Sequence, residues 1–406
     1  MPKFSYTAKS ISGEEKTGKI DTKDVHQLSK ILKSQGFILI DASLEKDKEK
    51  TNISNINIPF LSGVSLTDKM MFTRNLQVMI SAGLSLPKAL QVLALQGKSK
   101  IFKKAILDIK EEVIKGHNFS DSLKKYPNIF SELFQNMIKV GEEAGNLEEV
   151  LGILSKQMDR EHELKSKIIG ALMYPAIIII AMIGIGILML VMVVPSIAET
   201  FEDLGTELPA TTQFIIGLGA FLAEKWYLSV IGTIIFVNFL WFGLKSKKIK
   251  KEIDRILLKL PIVSALIKKT NSATTVRTLS SLISAGIPIV RSLEIVSNTL
   301  GNFYYKKALS EASEKVKKGG KLSDALDHYK EIYPIIVVQM IRVGEETGET
   351  ADILSKLADF FEEEVGNATK NMASVIEPIL MLVVGAVIGF FAISMIQPMY
   401  SMLESI

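Results

Sequence analysis

Three long apolar runs interrupt an otherwise polar chain. The first, Ile168–Val194, contains no charged residue, and as a helix it extends for about 40 Å, more than the bilayer hydrocarbon core of about 30 Å. The second, Trp226–Leu244, has Tyr227 and Trp241 near its ends, as expected of anchors at a membrane interface. The third occupies residues 372–398. The pattern predicts three transmembrane helices.

A shorter apolar stretch precedes the second span within residues 214–244. Phe214–Ala223 is apolar, but Glu224 and Lys225 separate it from the core of the span at residues 226–244. We therefore expect this stretch to be an interfacial helix or an extension of the span along the lipid edge.

Basic residues flank these runs on one side only. Lys167 precedes the first run and a lysine-rich segment, residues 245–251, follows the second, whereas the loop at residues 195–213 carries acids. Lys and Arg close to a span tend to stay in the cytoplasm. The N-terminus and residues 245–371 are therefore predicted inside, and the loop and the short tail at 399–406 outside.

The predicted cytoplasmic segments follow a helical pattern. In residues 67–167, apolar positions recur at spacings of three and four, for example Phe72, Leu76 and Met79, and residues 245–371 show the same spacing. Such spacing predicts amphipathic helices. We expect a bundle of about six helices in each segment.

One constant offset of 203 residues relates the two cytoplasmic segments and the spans that follow them. The matched pairs include Arg74 with Arg277, Gly83 with Gly286, Gly116 with Gly319, Gly145 with Gly348, Pro175 with Pro378, and Pro195 with Pro398. Self-similarity over this length predicts a duplicated unit, a helical module followed by one span. The second span is then the connector that returns the chain to the cytoplasm.

Glycine and serine residues mark predicted helix ends in both copies. Gly83, Gly145 and their copies suit the left-handed position after a helix. Ser120 and Ser323 are each followed by Asp, so both are predicted to be N-caps with an acid in the first turn.

Residues 1–45 show a different pattern. Phe4–Ala8 alternates as a strand does, Val25–Ser34 has a helical pattern, and Phe37–Ile40 is a short apolar run. This order predicts a small α+β appendage. Residues 46–66, rich in Lys, Asn and Ser, are predicted to be its linker.

The composition agrees with a membrane protein that has large polar parts. The mean hydropathy is +0.27 over 406 residues, which is high for a soluble chain of this length. The net charge of +4 is too small to indicate a nucleic-acid partner. The absence of cysteine excludes disulfides and thiol chemistry.

No residue pattern predicts catalysis, a cofactor or a bound metal. Gly97-Lys98-Ser99 resembles the end of a phosphate-binding loop, but Val92 occupies a position where that motif requires glycine. The four histidines have no metal-ligand spacing. We therefore expect a protein that is not an enzyme and carries no cofactor.

Paired carboxylates are the sharpest polar signal in the chain. Glu142-Glu143 and the copy Glu345-Glu346 are candidates for contact with a basic partner surface or with a hard cation between the modules. The alternative is that they are ordinary surface acids, because adjacent residues on a helix point about 100° apart.

Glu377 lies near the inner edge of the third span, where an ionisable group is a functional candidate. Its copy in the first span is Tyr174, so the repeats do not share the charge. The alternative is a side chain that reaches back to the membrane interface.

Taken in order, these motifs resemble the GspF/PilC family of platform proteins in type II secretion and type IV pilus assembly. The resemblance covers the whole chain and rests on Phe4–Ala8, the two Ser-Ala-Gly turns, Val140–Leu147, the loop after Val194-Pro195, and Glu377-Pro378. The second copy departs from the pattern at Gly348-Glu349-Thr350. The candidate turn and span residues are Gly83, Gly286, Gly141, Gly145, Gly344, Gly348, Pro175, Pro195, Pro378 and Pro398.

The resemblance implies a mainly α-helical, homo-oligomeric platform in the inner membrane. Such a platform docks a cytoplasmic secretion ATPase and, with other inner-membrane assembly proteins, helps to move pilin or pseudopilin subunits out of the lipid bilayer. A small-solute transporter built from a duplicated unit is the alternative, because transporters also contain repeats. Here, however, each repeat contributes a single predicted span.

Overall fold

A computed structural model describes residues 3–10, 15–22, 24–44, 64–97, 99–196, 210–261 and 263–404. The chain separates into two compact units, Met1–Gly63 and Val64–Ile406. Most of the predicted linker, residues 46–63, and most of the predicted outer loop, residues 197–209, lie outside the described residues.

The first unit is a three-stranded antiparallel sheet with one helix. Strands β1 (Lys3–Ser10), β2 (Glu15–Asp21) and β3 (Phe37–Leu44) have the order β2-β1-β3, and helix α1 (Val25–Ser34) connects β2 to β3. One face of α1 packs on β1, and their shared core contains Tyr6, Ala8, Leu28 and Leu32. The predicted α+β appendage is confirmed.

The first helical module contains five helices and the beginning of a sixth. They are α2 (Leu66–Ser81), α3 (Leu86–Gln96), α4 (Lys100–Ile114), α5 (Phe119–Leu123), α6 (Glu132–Ala144) and α7 (Leu147–Leu188). A capping box starts α2, because the Ser65 hydroxyl accepts the N–H of Asp68 at 3.0 Å while the Asp68 carboxylate accepts from Ser65.

Three helices connect the first repeat to the second. They are α8 (Ala210–Glu224), α9 (Trp226–Lys245) and α10 (Lys247–Leu257). The axes of α8 and α9 differ by 87°, so the stretch before the second span is a separate helix at a steep angle to it.

The second module repeats the first helix by helix. Its helices are α11 (Val263–Ser284), α12 (Ile289–Thr299), α13 (Phe303–Lys317), α14 (Leu322–Leu326), α15 (Ile335–Thr347) and α16 (Thr350–Glu404). From the end of α11 to the start of α16, each helix bound equals its counterpart in the first module plus 203. The predicted duplication is therefore confirmed.

Helices α7 and α16 run from the modules into the apolar spans. Together with the π-helical turn that follows it, α7 forms part of a helix of 50 residues, Leu147–Ser196. Helix α16 has 55 residues. These two helices are about 75 Å and about 80 Å long, respectively. Their apolar windows are only 11% and 6% buried, as suits a surface that lipid covers. Within the described residues, these two helices could cross a membrane, and the number becomes three if the bent pair of α8 and α9 forms one span.

The repeated prolines lie within the spans. Pro175 is buried inside α7 and Pro378 is exposed on α16. A proline ring crowds the carbonyl group four residues before it, and a π-helical turn, Met189–Val193, ends two residues before Pro195. Pro398 lies within α16, which continues to Glu404 through the residues predicted to form a tail.

The two modules share one continuous apolar core. Helix α16 packs along α11 and also against α7, and α12 packs against α6. The long helices of both repeats therefore lie side by side where they leave the modules, and this arrangement places the polar groups described below.

Candidate functional site

The signature segment Val140–Leu147 forms a tight corner between α6 and α7. A Cβ atom added to Gly141 would lie 3.0 Å from the Cβ of Val150, closer than two side chains normally approach. The N–H of Asn146 donates to the Gly141 carbonyl at 2.9 Å, and Gly145 has a φ of 71°. Glycine is thus needed at one position for close packing and at the other for the left-handed turn.

The second copy makes the same corner with different atoms. A Cβ atom on Gly344 would lie 3.0 Å from the Cα of Thr350, and Gly348 has a φ of 78°. Here the Thr350 hydroxyl donates to the Gly344 carbonyl at 3.0 Å. The departure from the Gly-Asn-Leu pattern therefore preserves a donor to the carbonyl group of the packed glycine.

Glu142 caps the short helix α5 from a distance of more than twenty residues in sequence. Its carboxylate accepts the N–H groups of Phe119 at 2.6 Å and Ser120 at 3.0 Å, together with the Ser120 hydroxyl at 2.8 Å. The N-cap residue itself, Asn118, makes no side-chain cap. A carboxylate at this position satisfies free N–H groups and the positive end of the helix dipole. The predicted N-cap at Ser120 is wrong, because this serine lies in the first turn.

Glu345 does the same for α14 in the second module. Its carboxylate accepts the N–H groups of Leu322 at 2.5 Å and Ser323 at 3.1 Å, while Lys321 holds the N-cap position without a side-chain bond. The N-cap predicted at Ser323 is therefore also wrong. Sequence reasoning missed this role because the acid and the helix that it caps are far apart in the chain.

The second acid of each pair points elsewhere. The Glu143 side chain is 64% exposed, and its carboxylate lies 3.6 Å from the Nζ of Lys139. Glu346 is exposed as well. The two acids of each pair therefore have different roles. Of the four, only Glu143 and Glu346 are exposed to a partner. The partner-contact role remains a prediction for these two.

Glu377 lies within α16, and its side chain is exposed on the surface of the helix. No described contact gives it a structural role. Its function in the span remains a prediction.

A partly buried ionic cluster joins the long helices of the two repeats. The Arg277 guanidinium on α11 binds Glu362 of α16 through Nε at 2.7 Å and Nη2 at 3.1 Å, and it also binds Asp359. Only 14% of the Arg277 side chain and 11% of that of Glu362 are exposed. Arg160 of α7 reaches the same Glu362 carboxylate at 3.8 Å.

The electrostatics of this cluster favour its charged form. Burial alone would lower the pKa of Arg277, but the hydrogen bonds and charges of Glu362 and Asp359 hold it above its ordinary value. A two-bond contact between a guanidinium and a carboxylate is among the stronger ion pairs in proteins. The cluster therefore fixes α16 against α11 and brings α7 to the same point.

A buried amide adds a second link between the repeats. Gln157 of α7 donates to the Thr278 hydroxyl at 3.3 Å and accepts from Ser281 at 2.8 Å. A polar cavity of about 560 Å³ adjoins these groups and the Arg277 side chain. Its lining combines serines with charged groups.

Sequence reasoning did not find this inter-module cluster. Arg277 is a repeated position, since its copy is Arg74, but only one of its two acidic partners has an acidic counterpart in the first copy. Lys156 and Asp159 occupy the positions in the first copy that correspond to Asp359 and Glu362. A search for charge differences between the two copies would have marked Asp359, which replaces a lysine, but not Glu362, which replaces another acid.

Comparison with known proteins agrees with this architecture. The family model for the type II secretion system (T2SS), protein F, matches residues 72–195 and 275–398, two stretches separated by the repeat offset. The type IV pilus assembly protein PilC of Myxococcus xanthus is 35% identical over 99% of this chain and 95% of its own length.

Two further relatives extend the match. The type IV pilus assembly protein PilC of Thermus thermophilus is 31% identical over 100% of this chain and 99% of its own length. The type II secretion system protein F of Vibrio cholerae is 28% identical over 99% of this chain and 98% of its own length. With both repeats matched and the full length covered, this chain belongs to the family of type II secretion system protein F, the GspF/PilC family that its motifs resemble.

Proposed function

We propose that this chain is the non-enzymatic inner-membrane platform of a type IV pilus or type II secretion machine. In this role it couples a cytoplasmic secretion ATPase to the assembly of pilin or pseudopilin subunits. Its relatives carry the names of both machines, so the proposal covers both. The family and the apolar helices fit a protein of the inner membrane.

The observation that carries the proposal is the continuity of the long helices. Each of α7 and α16 begins in a helical module and ends in an apolar span, and the Arg277 cluster ties both together. A force applied to either module therefore reaches the membrane through a packed pair of helices without a flexible joint. Such a device suits a scaffold that transmits motion and has no need of a catalytic site.

ATPase binding is the direct test of this proposal. The purified full chain in nanodiscs is expected to hydrolyse no ATP, but to bind a hexameric secretion ATPase and alter its turnover. The Glu143→Lys/Glu346→Lys double variant is expected to weaken binding by about tenfold or more, because like charge at an interface is costly. Binding is measured by surface plasmon resonance and turnover by phosphate release.

A matched control uses two other exposed acids at repeat-related positions, Glu111 and Glu314. The Glu111→Lys/Glu314→Lys double variant carries the same change in net charge and is expected to bind normally. ATP hydrolysis by the purified chain, or absence of any effect on the ATPase, would contradict the proposed function. Equal weakening by both double variants would assign the effect to net charge.

The proposed orientation places both modules in the cytoplasm and residues 197–209 outside. Because the chain has no cysteine, single cysteines report topology cleanly. Thr206→Cys is expected to react with an impermeant maleimide in intact spheroplasts, whereas the exposed Ser310→Cys is expected to react only after permeabilisation. The reverse result would overturn the orientation.

The transporter alternative is weakened by the space between the first and third spans. A groove of about 400 Å³ there is lined by apolar residues such as Met182, Phe391 and Ile388, which do not solvate a polar solute. Proteoliposomes that contain the chain are expected to take up amino acids and sugars no faster than empty vesicles. Uptake above that level would favour transport.

A further inference from the structure

Helix α10 (Lys247–Leu257) begins only two residues after the connector span ends at Lys245. Its start is therefore close to the membrane surface. Residues 247–260 contain six basic and two acidic side chains. The segment combines a strong positive charge with several large apolar residues.

One side of α10 is held by the second module. The Asp254 carboxylate accepts the N–H of Phe303 at 2.8 Å and so caps α13. The Nζ of Lys251 lies 5.5 Å from the centre of the Phe303 ring, and Leu258, just after the helix, packs against the core. These three contacts define the face that points to the module.

The apolar stripe of α10 lies on another side. Ile249, Ile253, Ile256 and Leu257 fall within an arc of about 100°, centred roughly 140° from the face that holds Asp254. Ile256 is 58% exposed, Ile249 45%, and Leu260 beyond the helix 43%. An amphipathic helix normally turns its apolar stripe toward the core, but this stripe is turned away from it.

Lysines border the stripe on both sides. Lys250 lies next to Leu257 on one edge. On the other edge Glu252, which lies 3.9 Å from Arg255, is closest to the stripe, and Lys248 and Lys259 lie just beyond it. All three lysine side chains are exposed. Long cationic side chains beside an apolar stripe are suited to reach phosphate groups while the stripe enters the acyl boundary. A water-soluble partner helix would not require lysines on both edges.

We propose that α10 lies in the headgroup layer of the cytoplasmic leaflet and docks the second module onto an anionic phospholipid surface. The apolar stripe enters the lipid and the bordering lysines bind headgroup phosphates. Charge complementarity and direct continuity with the connector span identify the membrane as the occupant of this face. The contact sets the distance of the second module from the bilayer. The first module contains no such helix in its described residues.

Single-cysteine fluorescence in the full chain tests this proposal. Ile256→Cys and, separately, Ile249→Cys are labelled with the fluorophore NBD and reconstituted at one chain per nanodisc. The discs contain phosphatidylcholine alone or phosphatidylcholine with phosphatidylglycerol at a ratio of about three to one, a composition that models an anionic leaflet. Arg255→Cys, an exposed position on the polar side of the same helix, is the matched control.

In the anionic discs, the labels at positions 256 and 249 are expected to be shielded from iodide and quenched by a lipid that carries a nitroxide near its headgroup. The Arg255→Cys label is expected to show the opposite. Replacing Lys248, Lys250 and Lys259 together with Gln is expected to remove at least half of the difference between anionic and neutral discs. Helicity by circular dichroism confirms that each variant is folded.

Three results would overturn the proposal. One is iodide quenching of the 256 and 249 labels in anionic discs to the same extent as the Arg255→Cys label. Another is shielding from iodide without quenching by the nitroxide lipid, which would show that protein covers the face. The third is an unchanged lipid preference after the triple lysine replacement.

Discussion

The two modules have the same helices at the same spacing, but their interiors differ. In the first module, Phe72, Phe102 and Phe130 pack together with ring centres 5.4 to 6.2 Å apart. All three are buried, and the contact is purely apolar. The equivalent positions in the second module, 203 residues later, hold one threonine and two tyrosines.

In the second module, each of the added hydroxyl groups has a partner. The Tyr333 hydroxyl lies 3.1 Å from that of Thr275, and the Tyr305 hydroxyl donates to the Ile332 carbonyl at 2.5 Å. The two rings form an edge-to-face pair 4.9 Å apart, and burial raises the pKa of both tyrosines. At these three positions the fold thus accepts polar side chains in its interior because each hydroxyl is hydrogen-bonded.

The modules also differ in how they use charge. Arg74 is exposed in the first module, whereas its copy Arg277 is mostly buried against Glu362. The second module therefore carries the ionic attachment of α16 and also receives Arg160 from α7. The comparison shows that the two copies share their helix geometry, but that this link between the long helices is built on the arginine of the second copy.

The largest expected effect comes from Arg277→Met. The substitution leaves the Glu362 carboxylate buried without its partner, and we expect a loss of about 3–5 kcal/mol in unfolding free energy. The matched change Arg74→Met alters an exposed residue and is expected to stay within about 0.5 kcal/mol. Calorimetric unfolding of the full chain in detergent measures both. Equal effects would show that the two positions are equivalent after all.

The capping carboxylates rank next. Glu142→Ala and Glu345→Ala each free two helix N–H groups from a charged acceptor, and we expect a cost of about 1.5–3 kcal/mol in each case. The exposed neighbours provide controls, since Glu143→Ala and Glu346→Ala should cost less than about 0.5 kcal/mol. Amide hydrogen exchange in α5 and α14 locates the effect. If the neighbours are as costly as the caps, the assigned division of roles is wrong.

Exchanging the aromatic residues has a smaller effect. Phe130→Tyr places a hydroxyl opposite Phe72, which cannot accept its hydrogen bond, and is expected to cost about 1–3 kcal/mol. Tyr333→Phe should cost only about 0.5–1.5 kcal/mol, because the Thr275 hydroxyl still donates to the Asn271 carbonyl. Thermal unfolding of the two variants gives the order. A greater loss for Tyr333→Phe would contradict it.

The smallest effect is a pH dependence that arises at Glu112 of the first module, a position where the second module has no acid. Hydrogen bonds from Lys125 and Lys115 lower the pKa of Glu112 to about 2. The lower pKa means that the contact adds stability above the ordinary carboxyl pKa, and that this stability is lost as the pH falls from about 4.5 toward 2. The copy of Glu112 is Lys315, so the second module has no such contact.

The variant Glu112→Gln tests this difference. Its unfolding temperature should be below that of the unaltered chain at pH 7, and the gap should close as the pH falls through that range. Lys315→Gln should leave the shape of the pH profile unchanged over the same range. A gap for Glu112→Gln that is constant with pH would remove the carboxylate from the explanation.

Much of the architecture was determined by sequence alone. Helix periodicity, helix-ending glycines such as Gly145 and the constant offset are local or repetitive signals, and they fixed the modules, their duplication and the apolar spans. The sequence also shows the positions at which the two copies differ, for example Thr350. The structural effect of such a difference, however, could not be predicted from the sequence pattern.

Only the tertiary structure decided which polar groups meet. Glu142 and Glu345 were candidate partner contacts in sequence, yet each caps a helix more than twenty residues away. Arg277 meets acids more than eighty residues further on. Hydrophobic periodicity specifies which face of a helix is buried, but the crossing of two helices selects the side chains that touch. That selection depends on distances between elements, to which a one-dimensional pattern has no access.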